Sequence, residues 1–140
     1  MAEGFWEQAV ETYLAIDRGV FLNPQYLIGE PGIWEANTDF LALCFPDKTA
    51  WMVEVTKTPS SRLFGKLSTF EIDYSPRIRD QLTRHAVITA ESRWDIGLWL
   101  FVPRDWQTRI KERSREANIG KFLVTPLEDT TFPSWDQRFR

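Results

Sequence analysis

The sequence predicts an α/β fold in which a mixed β-sheet is flanked by helices. Amphipathic helical segments alternate with short apolar segments, and the chain carries no internal repeat. Two of the apolar segments, DFLALCF and AWMVEV, are separated by PDKT, which has Pro and Asp where a turn needs them. Both segments are apolar on both faces, a pattern typical of a sheet covered by helices on two sides. We therefore expect one α/β domain over residues 1–140.

The first half of the chain predicts one helix, one short strand and a hairpin. Apolar residues at helical spacing in FWEQAVETYLAID indicate a helix that ends near Gly19. The turn-rich segment NPQYLIGEPGIWE holds one short strand near 26–29. Segments 39–45 and 50–55 form the hairpin, and they are expected to pair so that facing residue numbers sum to 95.

The second half predicts helices that alternate with strands. Thr58, followed by proline, indicates the start of a helix, and Ser75, again followed by proline, repeats that signal for the next one. The apolar run IGLWLFV predicts a central strand, and KFLVTPL predicts a last one. Between these strands, Asp105 is expected to cap the helix WQTRIKERSREAN, which stops near Gly120.

Composition excludes several classes of protein. Cys44 is the only cysteine, so an intrachain disulfide and a cysteine-based metal site are not expected, and a reducing, cytoplasmic location fits best. The acidic, amphipathic N-terminus MAEGFWEQAVETYL is unlike a signal peptide. No apolar run reaches the roughly 18 residues that a membrane span needs, so no membrane association is expected.

The charges are unevenly distributed along the chain. Residues 1–54 carry 2 basic and 9 acidic groups (−7), residues 55–85 carry 6 and 3 (+3), and residues 86–140 carry 9 and 8 (+1). This distribution predicts an acidic centre beside a basic flank, and the basic flank fits a nucleic-acid partner. The expected nucleic-acid contacts are five basic residues: Arg62, Lys66, Arg77, Arg79 and Arg84.

Glu54 is the residue that most needs an explanation. A glutamate inside a strand is usually paired with a cation, bound to a metal or exposed to solvent. In the predicted register Asp39 faces Thr56 and Leu41 faces Glu54, so the two acids are diagonal neighbours about 7–8 Å apart on one face. Two carboxylates at that separation can hold Mg²⁺ or Mn²⁺ and leave the other ligand positions to water and substrate phosphate. This pattern predicts metal-assisted phosphodiester hydrolysis.

At these residues the sequence resembles the PD-(D/E)XK nuclease superfamily, the restriction-endonuclease-like fold. That family places a helix before a meander of strands, an Asp at the start of one strand, and a carboxylate, one residue and a Lys on the next. Asp39 matches the first acid, Glu54 matches the second, and Lys57 lies close to the place of the lysine. Glu7 or Glu11 matches the helix carboxylate of some members. The resemblance extends from about residue 5 to residue 102.

The resemblance implies a Mg²⁺-dependent nuclease that acts on nucleic acid, with DNA the expected form, in DNA processing or defence. Asp39 and Glu54 would bind the metal, and Lys57 would stabilise charge on the phosphate or position the attacking water. A homodimer is left open.

The lysine departs from the family pattern by one position. The family lysine lies two residues after the acid, where this chain has Thr56. Period-2 alternation directs Lys57 to the opposite face of the strand. A bulge at Val55 or Thr56, or a strand that ends at Thr56, would let Lys57 turn inward. Otherwise Arg62 or Lys66 on the following helix would have to supply the positive charge.

Three other interpretations stay open. One is a catalytically degenerate nuclease fold that binds nucleic acid without cutting it. Another is a Trp-rich protein-interaction module, and the third is a Glu54 that is purely structural and paired with Arg62 or Lys66. His85 fits a helix C-terminal contact better than a catalytic base. The tail SWDQRFR interleaves aromatic and basic residues that would either stack on bases or pack back on the domain.

Overall fold

A five-stranded mixed sheet forms the centre of the structure, a computed structural model that describes residues 2–17 and 19–131, without the side chains of Ala2 and Glu3. The strands lie side by side in chain order: β1 Val20–Glu30, β2 Trp34–Cys44, β3 Thr49–Val55, β4 Asp95–Val102 and β5 Phe122–Pro126. The first three strands pair antiparallel, and β3, β4 and β5 pair parallel. The predicted tail SWDQRFR lies outside the described residues.

Helices cover both faces of this sheet and confirm the predicted α/β class. The helices are α1 Ala2–Ala15, α2 Ser61–Thr69, α3 Ser75–Arg84 and α4 Gln107–Glu116, with a π-helical turn, Phe70–Tyr74, between α2 and α3. No helix in residues 2–17 and 19–131 has the length and apolar character that crossing a membrane requires.

The two faces of the hairpin are buried in two separate cores. Leu41 and Met52 pack in the larger core, under α2, α3 and α4, while Phe40 and Val53 pack in the smaller core under α1. Full burial of one such side chain contributes about 1.5–3 kcal/mol. Both faces of β2 and β3 are therefore apolar because both are covered, as the sequence predicted.

The predicted register of the hairpin was wrong by two residues. Leu43 faces Ala50, so facing residue numbers sum to 93 instead of 95. The cause is Phe45, which leaves the strand: its ring lies 5.4 Å from that of Phe21 and 5.1 Å from that of Trp94. β2 consequently ends at Cys44. A shift of two residues keeps every side chain on its predicted face.

The helix after β3 starts later than predicted and continues further. Its N-cap is Ser60, not Thr58. The predicted break at Ser75 is absent, since the π-helical turn carries the chain directly from α2 into α3. Pro76 lies in the first turn of α3, where its ring and missing N–H are tolerated.

The C-terminal half follows the prediction with smaller corrections. β4 and β5 occupy the two predicted apolar runs, and β1 is longer than the short strand predicted near 26–29. Asp105 does not cap α4, because it lies in a 3₁₀ turn, Arg104–Trp106, that precedes the helix. Asn118, not Gly120, has the left-handed backbone (φ 54°) just beyond the end of α4. Asparagine tolerates that conformation better than most residues.

Candidate active site

A polar cleft of about 610 Å³ opens where β2 and β3 separate, at the end of the hairpin away from its turn. It is lined by residues from α1, β1, β2, β3 and α2 and by the connection after β3. Six of the residues predicted from the sequence come together there: Glu7, Asp39, Glu54, Lys57, Arg62 and Lys66.

Side chains replace the backbone pairing at the point where the strands part. The last paired residues of β2 and β3 are Phe40 and Val53. Beyond them the Thr38 hydroxyl donates to the Val53 carbonyl (2.8 Å), and Asp39 Oδ2 accepts a hydrogen bond from the Val55 N–H (2.7 Å). These bonds satisfy strand groups that would otherwise be left without partners. They also hold the Asp39 carboxylate in one place at the edge of the cleft.

The observed register brings the two predicted acids together. One step beyond the Phe40–Val53 pair, Asp39 lies across from Glu54 and not from Thr56. Both carboxyl groups line the cleft, and they are close enough for Asp39 to raise the pKa of Glu54.

Glu54 is the buried charge of the site, with 7% of its surface exposed. Burial raises the pKa of its carboxyl from 4.5 to about 7; the Lys66 ammonium opposes that rise, and the Asp39 carboxylate adds to it. Lys66 Nζ lies 2.8 Å from Glu54 Oε1 and donates a second hydrogen bond to the Asn37 carbonyl (3.2 Å). An acid can therefore occupy this apolar strand because α2 supplies a cation directly above it.

Lys57 reaches the cleft because β3 ends at Val55, close to the strand end at Thr56 that was one of the two predicted routes; the other, a bulge, is not formed. β3 pairs with β4 without interruption as far as Val55, and the Thr56 N–H still donates to the Phe101 carbonyl (2.9 Å). The chain then bends, and Lys57 lies exposed at the mouth of the cleft. The cation paired with Glu54 is thus Lys66 on α2, one of the two substitutes considered from the sequence.

The two glutamates predicted on α1 differ in position. Glu7 lines the cleft, so the first turns of α1 approach the carboxylate pair. Glu11 is exposed and does not line it. Of the two, Glu7 is therefore the candidate for the helix carboxylate.

The five predicted basic contacts do not form one group: two lie in the cleft, two line a second depression and one lies in neither. Arg62 and Lys66 belong to the cleft. Arg77 and Arg84 line a second depression, where Arg77 lies 4.1 Å from the ring centroid of Trp34 and each arginine pairs with a carboxylate four residues earlier on the chain. Arg79 is exposed and lines neither depression. A single continuous basic surface over 55–85 is thus absent from the part of the chain that the structure describes.

Gln25 is a residue of the cleft that sequence patterns did not reveal. It lies on β1 opposite Asp39, between the pairs Pro24–Phe40 and Tyr26–Thr38, and its backbone is left-handed (φ 51°). Non-glycine residues adopt that conformation at a cost of about 1–2 kcal/mol. Proline in mid-strand was the one local signal.

The two halves of β1 pack in different cores. Leu22 packs in the core under α1, whereas Tyr26 packs against the core under α2 and α3. Regular alternation would put two residues four apart on the same face. The switch lets the outer half of β1 bond to α3, where Gln81 accepts from the Gly29 N–H and donates to the Leu27 carbonyl.

Tyr74 is a second residue that the sequence did not indicate. It lies in the π-helical turn between α2 and α3 and is buried against Trp34, with ring centroids 5.3 Å apart. Burial raises the pKa of its hydroxyl, and the charge of Glu54 raises that pKa further. The Tyr74 hydroxyl is therefore within electrostatic reach of the buried carboxylate. π-Helical turns are frequent beside functional sites.

The carboxylate pair suits a hard cation. Asp39 Oδ2 and Glu54 Oε1 accept the hydrogen bonds described above, and the two carboxyl groups also lie within hydrogen-bond reach of each other. Mg²⁺ prefers oxygen ligands and is usually bound by one or two carboxylates together with water and phosphate. Within residues 2–17 and 19–131 no group of three or more His, Cys, Asp or Glu residues is arranged to hold a metal.

Comparison of this chain with protein-family models, curated proteins and solved structures gave no match. The resemblance to the PD-(D/E)XK superfamily stays a prediction, and the residues of the cleft carry the functional inference.

Replacement of the buried acid should change how stability depends on pH. Because the pKa of Glu54 is higher in the folded state, its contribution to stability is greatest below pH 4.5 and is lost as pH rises to about 7. One pKa unit corresponds to about 1.4 kcal/mol, so this loss is about 3 kcal/mol. Urea unfolding across pH 4–8 should show this loss in the wild type and not in Glu54→Gln. Glu11→Gln, an exposed control on α1, should follow the wild type.

Removal of the cation should destabilise the protein most at high pH. Lys66→Met leaves Glu54 buried without its partner, and breaking a buried pair in this way costs about 3–5 kcal/mol. The cost should shrink at pH 5, where Glu54 is protonated. Lys57→Met, at the exposed position, should change the free energy of unfolding by about 0.5 kcal/mol or less. Equal effects of the two substitutions would show that the Glu54–Lys66 pair is not the stabilising contact.

Relief of the left-handed backbone should stabilise the protein. Gln25→Gly removes a side chain from a conformation that glycine adopts freely, and we expect a gain of about 0.5–1 kcal/mol in unfolding free energy. Gln25→Asn should give a smaller gain. A loss of stability in Gln25→Gly would mean that contacts of the glutamine side chain outweigh the backbone cost.

Proposed function

We propose that the cleft hydrolyses phosphodiester bonds of nucleic acid with a divalent cation held by Asp39 and Glu54. The observation that carries the proposal is the carboxylate pair itself: Glu54 is buried beside Asp39, in a cleft that Lys57 and Arg62 also line. A burial that raises the pKa of Glu54 to about 7 disfavours the ionised form. A bound cation would favour that form. Metal affinity is therefore coupled to the ionisation of Glu54.

Each side chain of the cleft has a distinct task in this proposal. Bound Mg²⁺ would supply an activated water and stabilise negative charge on the phosphate. Lys66 favours the ionised form of Glu54 and orients its carboxyl group, since its ammonium lies 2.8 Å from Oε1. Lys57 and Arg62 are exposed at the mouth, where they can bind the phosphate oxygens on either side of the scissile bond. Lys66 is thus a positioning residue, and Lys57 and Arg62 contact the substrate.

The finer assignments rest on the sequence. DNA is the substrate form that the PD-(D/E)XK resemblance implies, in processing or defence. A single cysteine fits a cytoplasmic location.

One observation supports a second candidate, a nuclease-like domain that binds nucleic acid without cutting it. Lys66 pairs with Glu54 at 2.8 Å, and the two side chains are both largely buried. If that ion pair persists in solution, Glu54 is satisfied and a cation has little to gain by binding. The protein-interaction module stays a prediction; the six tryptophans among the described residues are buried or half-buried.

Cleavage of plasmid and oligonucleotide DNA tests the first candidate. In Mg²⁺ or Mn²⁺ the wild type should nick or cut DNA, and EDTA should abolish the activity. Asp39→Asn and Glu54→Gln should each lower the rate by about 100-fold or more, since either change removes a metal ligand. Lys57→Ala should lower the rate by about 10-fold through a lost phosphate contact. Activity that survives in both acid variants would contradict the assignment of the site.

Thermal unfolding with and without Mg²⁺ separates the two candidates. A nuclease site should raise the melting temperature with added Mg²⁺, more at pH 8 than at pH 5.5, because protonated Glu54 cannot bind the ion. Asp39→Asn should abolish that rise. A melting temperature that Mg²⁺ leaves unchanged in a protein that still binds DNA would favour the non-cutting domain.

A further inference from the structure

A pair of arginines lies on an aromatic surface where α2 and α4 meet. We name this surface the arginine shelf; it consists of Phe64 on α2, Trp106 just before α4, and Arg109 and Arg113 on α4. The guanidinium carbon of Arg109 lies 5.2 Å from the ring centroid of Trp106 and 5.4 Å from that of Phe64. That of Arg113 lies 5.2 Å from the Phe64 centroid. The two aromatic rings are themselves 6.2 Å apart.

The arginines of the shelf differ from those of α3 in their partners. Arg77 and Arg84 form ion pairs with Asp73 and Asp80. Among the described residues, no ion pair includes Arg109 or Arg113, and both side chains are exposed. A guanidinium held near a ring by cation–π attraction, without a carboxylate partner, keeps N–H groups available for a bidentate bond to an anion such as a phosphate.

The shelf and the cleft lie on opposite flanks of the same turn of α2. Arg62 and Phe64 are two positions apart, about 200° around a helix, and the buried Leu63 lies between them. Arg62 lines the cleft, and Phe64 belongs to the shelf. On the outer face of α2, Gly65 presents open space, since an added Cβ would meet no atom within 4 Å. The side of α2 between the shelf and the cleft therefore carries no side chain at Gly65.

We propose that the arginine shelf binds the phosphodiester backbone of the nucleic acid whose scissile bond occupies the cleft. This inference rests on the proposed function and names the path of its substrate. Arg109 and Arg113 hold one stretch of the backbone, the strand crosses the outer face of α2, and Arg62 and Lys57 receive it at the mouth of the cleft. The contacts are to phosphates, so the shelf supplies affinity and direction but no sequence preference.

The shelf requires arginine and not merely positive charge. Cation–π contact with Phe64, and for Arg109 also with Trp106, favours one position of each guanidinium before the nucleic acid arrives, which lowers the entropy lost on binding. A lysine at either position would keep the charge but could not form the bidentate bond to a phosphate.

The binding of a fluorescent 20-base-pair DNA duplex and a 20-nucleotide single strand, measured in EDTA between about 20 and 300 mM salt, tests the shelf. Arg109→Gln/Arg113→Gln should weaken duplex binding by about tenfold or more and reduce the log-log salt slope by about 2, because each phosphate contact contributes about 0.9. Arg109→Lys/Arg113→Lys should largely keep the slope but still lose affinity. The matched control, Lys111→Gln/Arg115→Gln, removes the same charge from α4 without touching the rings.

The outcomes separate the shelf from the proposed hydrolysis. If both double glutamine variants weaken binding equally, or if the shelf variant binds as the wild type does, the shelf proposal is wrong. A polyaspartate peptide that binds to the shelf as tightly as DNA would also overturn it. A wild type that binds through the shelf but cuts nothing in Mg²⁺ contradicts hydrolysis alone. Failure to bind any nucleic acid at low salt overturns both proposals.

Discussion

The ion pair between Glu54 and Lys66 is the contact on which the geometry of the cleft depends. A carboxylate inside an apolar strand loses much of its hydration, and an adjacent cation compensates for that loss. Lys66 also bonds to the Asn37 carbonyl, so one ammonium joins β2, β3 and α2. Asp39 adds a second link through the Val55 N–H. Three elements thus converge on a single buried charge.

The position of the cleft follows from the architecture of the sheet. β3 pairs antiparallel with β2 on one side and parallel with β4 on the other. The pairing with β4 continues to the end of β3, whereas the pairing with β2 stops at Val53 and gives way to side-chain hydrogen bonds from Thr38 and Asp39. The strands therefore diverge on one side of β3 alone. The cleft forms in that gap, and the connection to α2 delivers Lys57 and Arg62 to its mouth.

Local physical constraints also explain why the basic residues are not equivalent. On α3, carboxylates one turn away bind Arg77 and Arg84, and the geometry of a helix makes such pairs close. On α4, Arg109 and Arg113 lie instead over the rings of Phe64 and Trp106, which come from outside that helix. Charge counts along the chain favoured residues 55–85 and did not distinguish the two situations, because they take no account of aromatic neighbours, of which Phe64 is distant in sequence.

The sequence by itself determined the α/β class and the apolar strands, and it identified Asp39 and Glu54 as candidate site residues. Apolar periodicity and an acid within an apolar run are local patterns. It could not determine the hairpin register, because Phe45 packs against Phe21 and Trp94, which lie in other parts of the chain. The same holds for the partner of Glu54: only the packing of α2 on the sheet selects Lys66 over Lys57. Tertiary structure decided these points because each depends on contacts between residues that no local pattern connects.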